Sequence, residues 1–178
     1  VPVAINLTLD PDTALAVEGA YARLTGMGVA DRDLVTQYGP CVTLLVVADT
    51  VHPDDIAEGL HRRLPALGAL AVTLGAPFIA HGSTPPTLAL AVDAGDALLA
   101  IHAALFTTLP EAAVHPYYRP ADWRPHVKLA NVRGGSGAAA RLVVAFAESW
   151  APVNGRLEHL EAIQYPPLQS LWQAPLKG

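Results

Sequence analysis

A seven-residue pattern occurs twice in the 178-residue chain and constrains its fold more than any other feature. The first copy is Tyr38-Gly39-Pro40-Cys41-Val42-Thr43-Leu44; the second is Trp123-Arg124-Pro125-His126-Val127-Lys128-Leu129. An aromatic residue, a proline, a valine and a leucine recur at matching places, so each copy reads as a strand entered through a proline. Side chains alternate between the two faces of a strand. Val42 and Leu44 therefore face a core, and Cys41 and Thr43 share the opposite face. Val127 and Leu129 stand in the same relation to His126 and Lys128. Two polar pairs, one from each half of the chain, then line a single cleft.

The surrounding chain repeats in the same frame. Residues 3–9 read as a strand, and Asp10 followed by Pro11 marks a helix start that carries the chain to about Gly28. After a loop and the first motif strand, 41–48, Pro53 opens a second helix with Ile56, Leu60 and Leu64 four apart, and 69–79 reads as a strand. The plan then recurs: strand 87–93, helix 95–109, a long loop 110–124, motif strand 125–132, helix 138–149 and strand 156–164, with a last strand at 168–174. Val3 to Cys41 spans 38 residues and Thr87 to His126 spans 39, which supports a duplication. The expectation is one mixed α+β domain over 1–178, with lobe one at about 1–80, lobe two at about 86–165 and a closing strand at 166–176. The lobes face each other across a central cleft. His81 to Pro86 reads as a turn-rich crossover between them.

Composition excludes several classes. The hydrophobic content of 52% describes a globule, and no apolar run approaches the ~20 residues of a membrane-spanning helix. The net charge of −5 argues against a protein that follows a DNA duplex by charge. Yet His115 to Arg141 carries Arg119, Arg124, Lys128, Arg133 and Arg141 against Asp122 alone, a local +4. That stretch suits a small anionic ligand, or else is a solvated loop surface. The single cysteine and the lack of a charged-then-apolar leader give the expectation of a cytoplasmic protein.

The motifs carry a family resemblance. The chain resembles the two-histidine phosphoesterase superfamily in its 2′-5′ RNA ligase and cyclic phosphodiesterase branch. Members have two pseudo-symmetric lobes, each a small antiparallel-rich sheet with helices outside, and each lobe places one His-x-Thr or His-x-Ser motif on a strand facing the cleft. The two motifs here lie 85 residues apart, and Tyr117-Tyr118-Arg119-Pro120-Ala121-Asp122-Trp123-Arg124-Pro125-His126-Val127 is a specific match. The chain departs from the pattern at two of four positions: Cys41 stands where the family has His, and Lys128 where it has Thr or Ser.

The resemblance implies opening of a 2′,3′-cyclic phosphate, or cutting or joining of a 2′-5′ linkage, with no metal and no cofactor. The partner it implies is a small phosphorylated nucleotide or an RNA end. One imidazole takes a proton while the other gives one, and the hydroxyl residues hold phosphate oxygens. His126, Thr43, Lys128 and Cys41 are thus the candidate catalytic residues. Lys128 adds a cation for a phosphate and lowers the pKa of His126 by like-charge repulsion. Cys41 is either a weak base or nucleophile, its pKa lowered by Lys128 or His126, or a small half-buried residue left where the His was lost. Tyr38 and Trp123 either stack a base or cap the lobe cores. Tyr118, beside Tyr117, sits on a loop that can form a lid, and Arg124 lies within reach of a phosphate. His115 and His81 are weaker candidates for the missing acid–base group. Gly134-Gly135-Ser136-Gly137 reads as a flexible turn before a helix. With no bound metal expected, a chain lacking one of two imidazoles is either a slowed phosphodiesterase, a phosphate-binding pseudoenzyme or a scaffold for a protein partner.

Overall fold

The computed structural model describes residues 1–28, 30–31, 34–63, 67–80 and 85–177; His81 and Leu64 lie outside them. The fold is α+β. Among the described residues eight strands, β1 (Val3–Leu9), β2 (Ala30–Asp31), β3 (Cys41–Val47), β4 (Leu70–Ala80), β5 (Thr87–Asp93), β6 (His126–Val132), β7 (Val153–Gln164) and β8 (Gln169–Pro175), are interspersed with five α-helices. The helices are α1 (Pro11–Gly26), α2 (Leu34–Tyr38), α3 (Pro53–Arg63), α4 (Gly95–Phe106) and α5 (Gly135–Ala147). Among the described residues no helix is long and apolar enough to cross a membrane.

All strand pairings among these elements are antiparallel, and they obey a pseudo-two-fold rule. β1 pairs with β3 as β5 pairs with β6. The last strand of each half crosses over: β7 lies against β1, and β4 lies against β5. The lobes are therefore β7-β1-β3, with β8 on the outer edge of β7, and β4-β5-β6. The sheets do not follow the chain halves 1–80 and 86–165, because each half donates its final strand to the other. The lobes join along β4–β7 and at one pair on β3–β6, Val42↔Val127. Those two valines occupy the same place in the repeated motif, so the pseudo-axis runs between them. Cys41 and Thr43 then flank the axis on one side, and His126 and Lys128 on the other.

The core lies on the faces away from the cleft. α1 packs on β6 and β7, α4 on β3, and α5 on β4, β5 and β6. Ile5, Leu7, Val42, Leu44, Leu88, Leu90, Val127, Leu129 and Leu160 are fully buried beneath them. Both motif strands carry a register shift at the same point, between Ile5 and Asn6 opposite β3 and between Leu88 and Ala89 opposite β6. Leu44 and Leu129 are the extra residues in these bulges. A bulge adds twist and re-aims the side chains beside it, which in each lobe are the motif residues.

Two segments differ from the sequence reading. The loop before β3 contains β2, paired to β6, and the short helix α2. The glycine run is a turn only at its start: Gly134, at φ 87° in the left-handed region, closes the turn before α5, and Gly135 to Gly137 form the first turn of the helix. Glycine disfavours a helix, but burial of Ala139, Leu142 and Phe146 along one face holds α5 from outside.

α1 starts as the sequence requires. Asp10 accepts from the Thr13 amide at 2.9 Å and the Thr13 hydroxyl at 2.7 Å, and its Oδ2 also accepts from the Arg156 amide of β7 at 2.6 Å. Partial burial raises its pKa, but these donors outweigh that and the net direction is down. Gly155 of β7 lies so close to Thr13 that no Cβ fits there. One carboxylate thus caps α1 and ties it to β7. Asp10→Ala is expected to cost ~1–2 kcal/mol in chemical denaturation. Because the folded pKa is depressed, the cap contributes fully above the unfolded Asp value of ~3.9 and is lost as pH falls through the folded value. The wild type and Asp10→Ala should therefore converge in stability at acid pH.

Candidate active site

The cleft between the lobes is a cavity of about 290 Å³, and Cys41, Thr43, Tyr118, His126 and Lys128 all line it. Its remaining walls include Tyr21, Thr36 and Tyr165, which sequence reasoning did not single out as site residues. Tyr21 enters from α1 and donates from its hydroxyl to the Lys128 carbonyl at 3.0 Å, so a helix residue braces the second motif strand. Among the described residues no group of three or more His, Cys, Asp or Glu side chains converges as a metal centre.

His126 is the best-defined chemical group. Its Nδ1 lies 2.7 Å from the Arg124 carbonyl. A carbonyl only accepts, so Nδ1 carries the hydrogen and Nε2 keeps its lone pair in the neutral ring. Burial lowers the pKa most, the Arg124 carbonyl opposes, and the Lys128 ammonium lowers it further. The like-charge effect expected from the motif is present, but desolvation exceeds it. Phe78 of β4 and Tyr117 each meet the imidazole edge-on at 6.1 Å. The result is a neutral imidazole at ordinary pH, held in one tautomer and able to take a proton at Nε2.

The first motif has the opposite character. Cys41 is 8% exposed, and burial pushes its thiol up to about 12, with the nearby Glu161 carboxylate adding to the rise and a Thr43 hydrogen bond opposing it. The sequence reading allowed Lys128 or His126 to lower this pKa. The charge that acts on the thiol is instead anionic and comes from β7. Cys41 is thus a neutral S–H near neutrality, neither a ready base nor a ready nucleophile.

Three of the residues expected at the substrate are placed elsewhere. Trp123 is 2% exposed, stacks on His102 of α4 at 3.9 Å and 3°, and donates from Nε1 to the Thr43 carbonyl at 3.0 Å. Burial and this stacking leave no ring face for a base; Trp123 caps the core and anchors β3. The Arg124 guanidinium turns back to the Trp123 carbonyl at 2.9 Å and lies outside the cleft lining. Tyr38 ends α2 and points its hydroxyl at Glu161 Oε2, 2.9 Å away. Of the weaker candidates, His115 accepts from the Tyr117 amide at 3.3 Å in the turn Pro116–Tyr118 and does not line the cleft.

Asn6 and Glu161 were not legible as site residues. They pair across β1 and β7, and Asn6 pairs across β1 and β3 with Thr43, so a row Thr43-Asn6-Glu161 crosses the lobe on the cleft-facing side. The corresponding row in the other lobe is Lys128-Ala89-Phe78. Glu161 is 1% exposed, with its carboxyl beside the Asn6 amide at 3.4 Å. Burial raises its pKa, and the Tyr38 and Asn6 hydrogen bonds oppose that rise.

Known proteins share this fold. The TT0787 protein of Thermus thermophilus superposes with a TM-score of 0.72 at 15% identity, over 100% of this chain and 99% of its own. Escherichia coli LigT in its apo form gives 0.60 at 10% identity, over 99% and 98%. LigT complexed with 3′-AMP gives 0.59 at 9% identity, over 99% and 98%. At these identities the likeness is one of fold. No curated protein sequence is significantly similar to the chain. A sequence model of the 2′-5′ RNA ligase superfamily matches residues 11–166, which include both motif strands and every strand except β1 and β8. With both motifs inside that match and the two-lobed fold around them, the chain belongs to the 2′-5′ RNA ligase superfamily.

Proposed function

We propose that the protein binds a small nucleotide phosphate or RNA end in the cleft and opens a 2′,3′-cyclic phosphate there by acid–base hydrolysis. The observation that carries this reading is the meeting of three complementary groups in one cavity: the neutral His126 imidazole, the Lys128 side chain and the Thr43 side chain. His126 Nε2 takes a proton from the attacking water. Lys128 and Thr43 face the phosphate, where an ammonium stabilises the charge that builds on its oxygens. The cavity of about 290 Å³ lies at the small end of ligand sites, ~300–1,000 Å³, which suits a mononucleotide or a chain end and not a duplex. The 3′-AMP complex of LigT, a protein of the same fold, supports a nucleotide as the ligand class.

The test is binding and turnover together. The protein is expected to show a thermal shift with 3′-AMP and to convert 2′,3′-cyclic nucleotides to monoesters. Lys128→Ala should weaken 3′-AMP binding by ~10–100-fold, the range of a hydrogen bond to a charged group, while keeping a native circular dichroism spectrum. The high thiol pKa of Cys41 favours a second reading, a nucleotide-phosphate binder without turnover. It would be the outcome if 3′-AMP binds in a Lys128-dependent way and no monoester forms. Absence of both binding and turnover would leave the cleft as part of a scaffold.

A further inference from the structure

Hydrolysis by the route above leaves one proton unassigned. The departing ribose oxygen must receive one, and the first motif offers the Cys41 thiol in place of an imidazole. Besides His126, the proton-bearing groups among the described residues of the cleft wall are that thiol, two threonine hydroxyls, the phenols of Tyr21, Tyr118 and Tyr165, and the Lys128 ammonium.

These groups differ in what they leave behind. A thiol, a phenol or an alcohol that gives up a proton becomes an anion, beside a phosphate that is itself gaining negative charge. A cleft screened from water penalises two like charges at such range. An ammonium that gives up a proton becomes a neutral amine, as an imidazolium becomes a neutral imidazole. Among the described lining residues Lys128 alone joins His126 in this property. The alternatives are weak acids for further reasons. Burial pushes the Cys41 thiol up to about 12 and raises the Tyr118 phenol as well. The Tyr21 hydroxyl already donates to the Lys128 carbonyl at 3.0 Å.

The strand meets the geometric requirement. In an in-line displacement the attacking and leaving oxygens lie on opposite sides of phosphorus, so base and acid need separate footholds. His126 and Lys128 are alternate residues of β6, on one face and about 7 Å apart along the strand. Both line the cavity. Their cross-strand neighbours on β5 are Ala91 and Ala89, so neither meets a bulky side chain there. The Tyr21 bond holds the backbone at Lys128, and the four-carbon stem carries the ammonium forward from that fixed point. The ammonium also acts on the imidazole, whose pKa it lowers. That repulsion is mutual: a proton arriving on His126 favours the departure of one from Lys128.

We infer that Lys128 is the acid of the reaction, its ammonium giving the leaving oxygen the proton that a second imidazole would otherwise supply. This rests on the hydrolytic reading of the preceding subsection. In the step, water gives a proton to His126 Nε2 as its oxygen bonds to phosphorus. The bond from phosphorus to one ribose oxygen breaks, and that oxygen takes a proton from Lys128 Nζ. The imidazolium proton then passes through solvent to the Lys128 amine, and both groups are restored. The pair carries one positive charge before the step and one after it.

Lys128→Arg separates charge from proton donation, because a guanidinium keeps the charge and does not give up its proton. In turnover of 2′,3′-cyclic AMP this variant should lower kcat by ~10²-fold, while 3′-AMP still raises its Tm. In Lys128→Ala at saturating substrate, added ethylammonium should raise kcat by ~10-fold or more. Tetramethylammonium, a cation with no proton to give, should not. Circular dichroism of both variants checks that the fold is kept. A wild-type kcat in Lys128→Arg, or no advantage of ethylammonium over tetramethylammonium in Lys128→Ala, would leave the lysine a fixed charge and overturn the acid role. A ~10²-fold loss of kcat in Cys41→Ala alone would overturn it too, in favour of the thiol. In each of these cases the wild type still forms monoester and the hydrolytic reading stands. If the wild type forms none while 3′-AMP raises its Tm, the hydrolytic reading falls and the acid role falls with it.

Discussion

Replacing His126 by alanine should lower kcat/KM for a 2′,3′-cyclic nucleotide by ~10²–10⁴-fold, the usual contribution of a positioned general base. The loss should fall mainly on kcat, because Lys128 and Thr43 remain to hold the phosphate. The pH profile gives the sign. Burial and the Lys128 ammonium depress the His126 pKa, so the working neutral ring is lost only as pH falls below the ordinary histidine value of ~6.5. From there upward kcat/KM should be flat through the range in which a free thiol ionises, because Cys41 is held to about 12. A rise near pH 8 would instead identify a thiolate as the active species. Stopped assays of the wild type and His126→Ala between pH 5 and about 9 separate the two.

The second large effect is on stability. Trp123→Ala removes a ring that is 2% exposed, its stack on His102, and the Nε1 hydrogen bond to the Thr43 carbonyl. Deleting a buried aromatic side chain costs ~3–5 kcal/mol. For a domain of this size that is a fall of roughly 6–20 °C in Tm. Trp123→Phe keeps most of the packing and gives up the hydrogen bond, so its loss should be nearer ~1 kcal/mol. The position matters beyond its energy. Trp123 belongs to the approach to the second motif, and its bond ends on the first motif strand, so one side chain fixes the spacing of the two polar pairs. Differential scanning fluorimetry in the presence and absence of 3′-AMP checks this account. An unchanged Tm in Trp123→Ala, with binding lost, would make the ring a base platform after all.

What the sequence could disclose follows from the range of each interaction. Alternation in Cys41-Val42-Thr43-Leu44 and in His126-Val127-Lys128-Leu129 is a local property of a strand, and it placed the four polar side chains on one face before any pairing was known. The Asp10-Pro11 start of α1 is equally local, and the capping bonds follow it. The crossing of β4 and β7 between lobes depends on partners far apart in the chain, and nothing in either strand's own pattern encodes the exchange. Glu161 escaped notice for a related reason. In Leu160-Glu161-Ala162 a charged residue alternates with apolar ones, which is the pattern of a solvated strand face. Its burial comes from Tyr38 and the β1 and β8 strands on either side. Trp123 and Tyr38 occupy matching places in the repeat but do different work, one in the core and one on a buried carboxylate, because only the first has His102 to stack on.

The central claim is that this cleft opens a cyclic phosphate with a single imidazole. The most direct measurement incubates the wild-type protein, beside His126→Ala, with the 2′,3′-cyclic monophosphates of the four nucleosides and follows the phosphorus NMR signal. The account predicts that the cyclic phosphate signal is replaced by that of a monoester in the wild type, at a rate insensitive to pH from neutrality to about 9, and stays in the variant. A cyclic phosphate signal that persists equally in both proteins, under conditions where 3′-AMP raises the Tm of each, would contradict it.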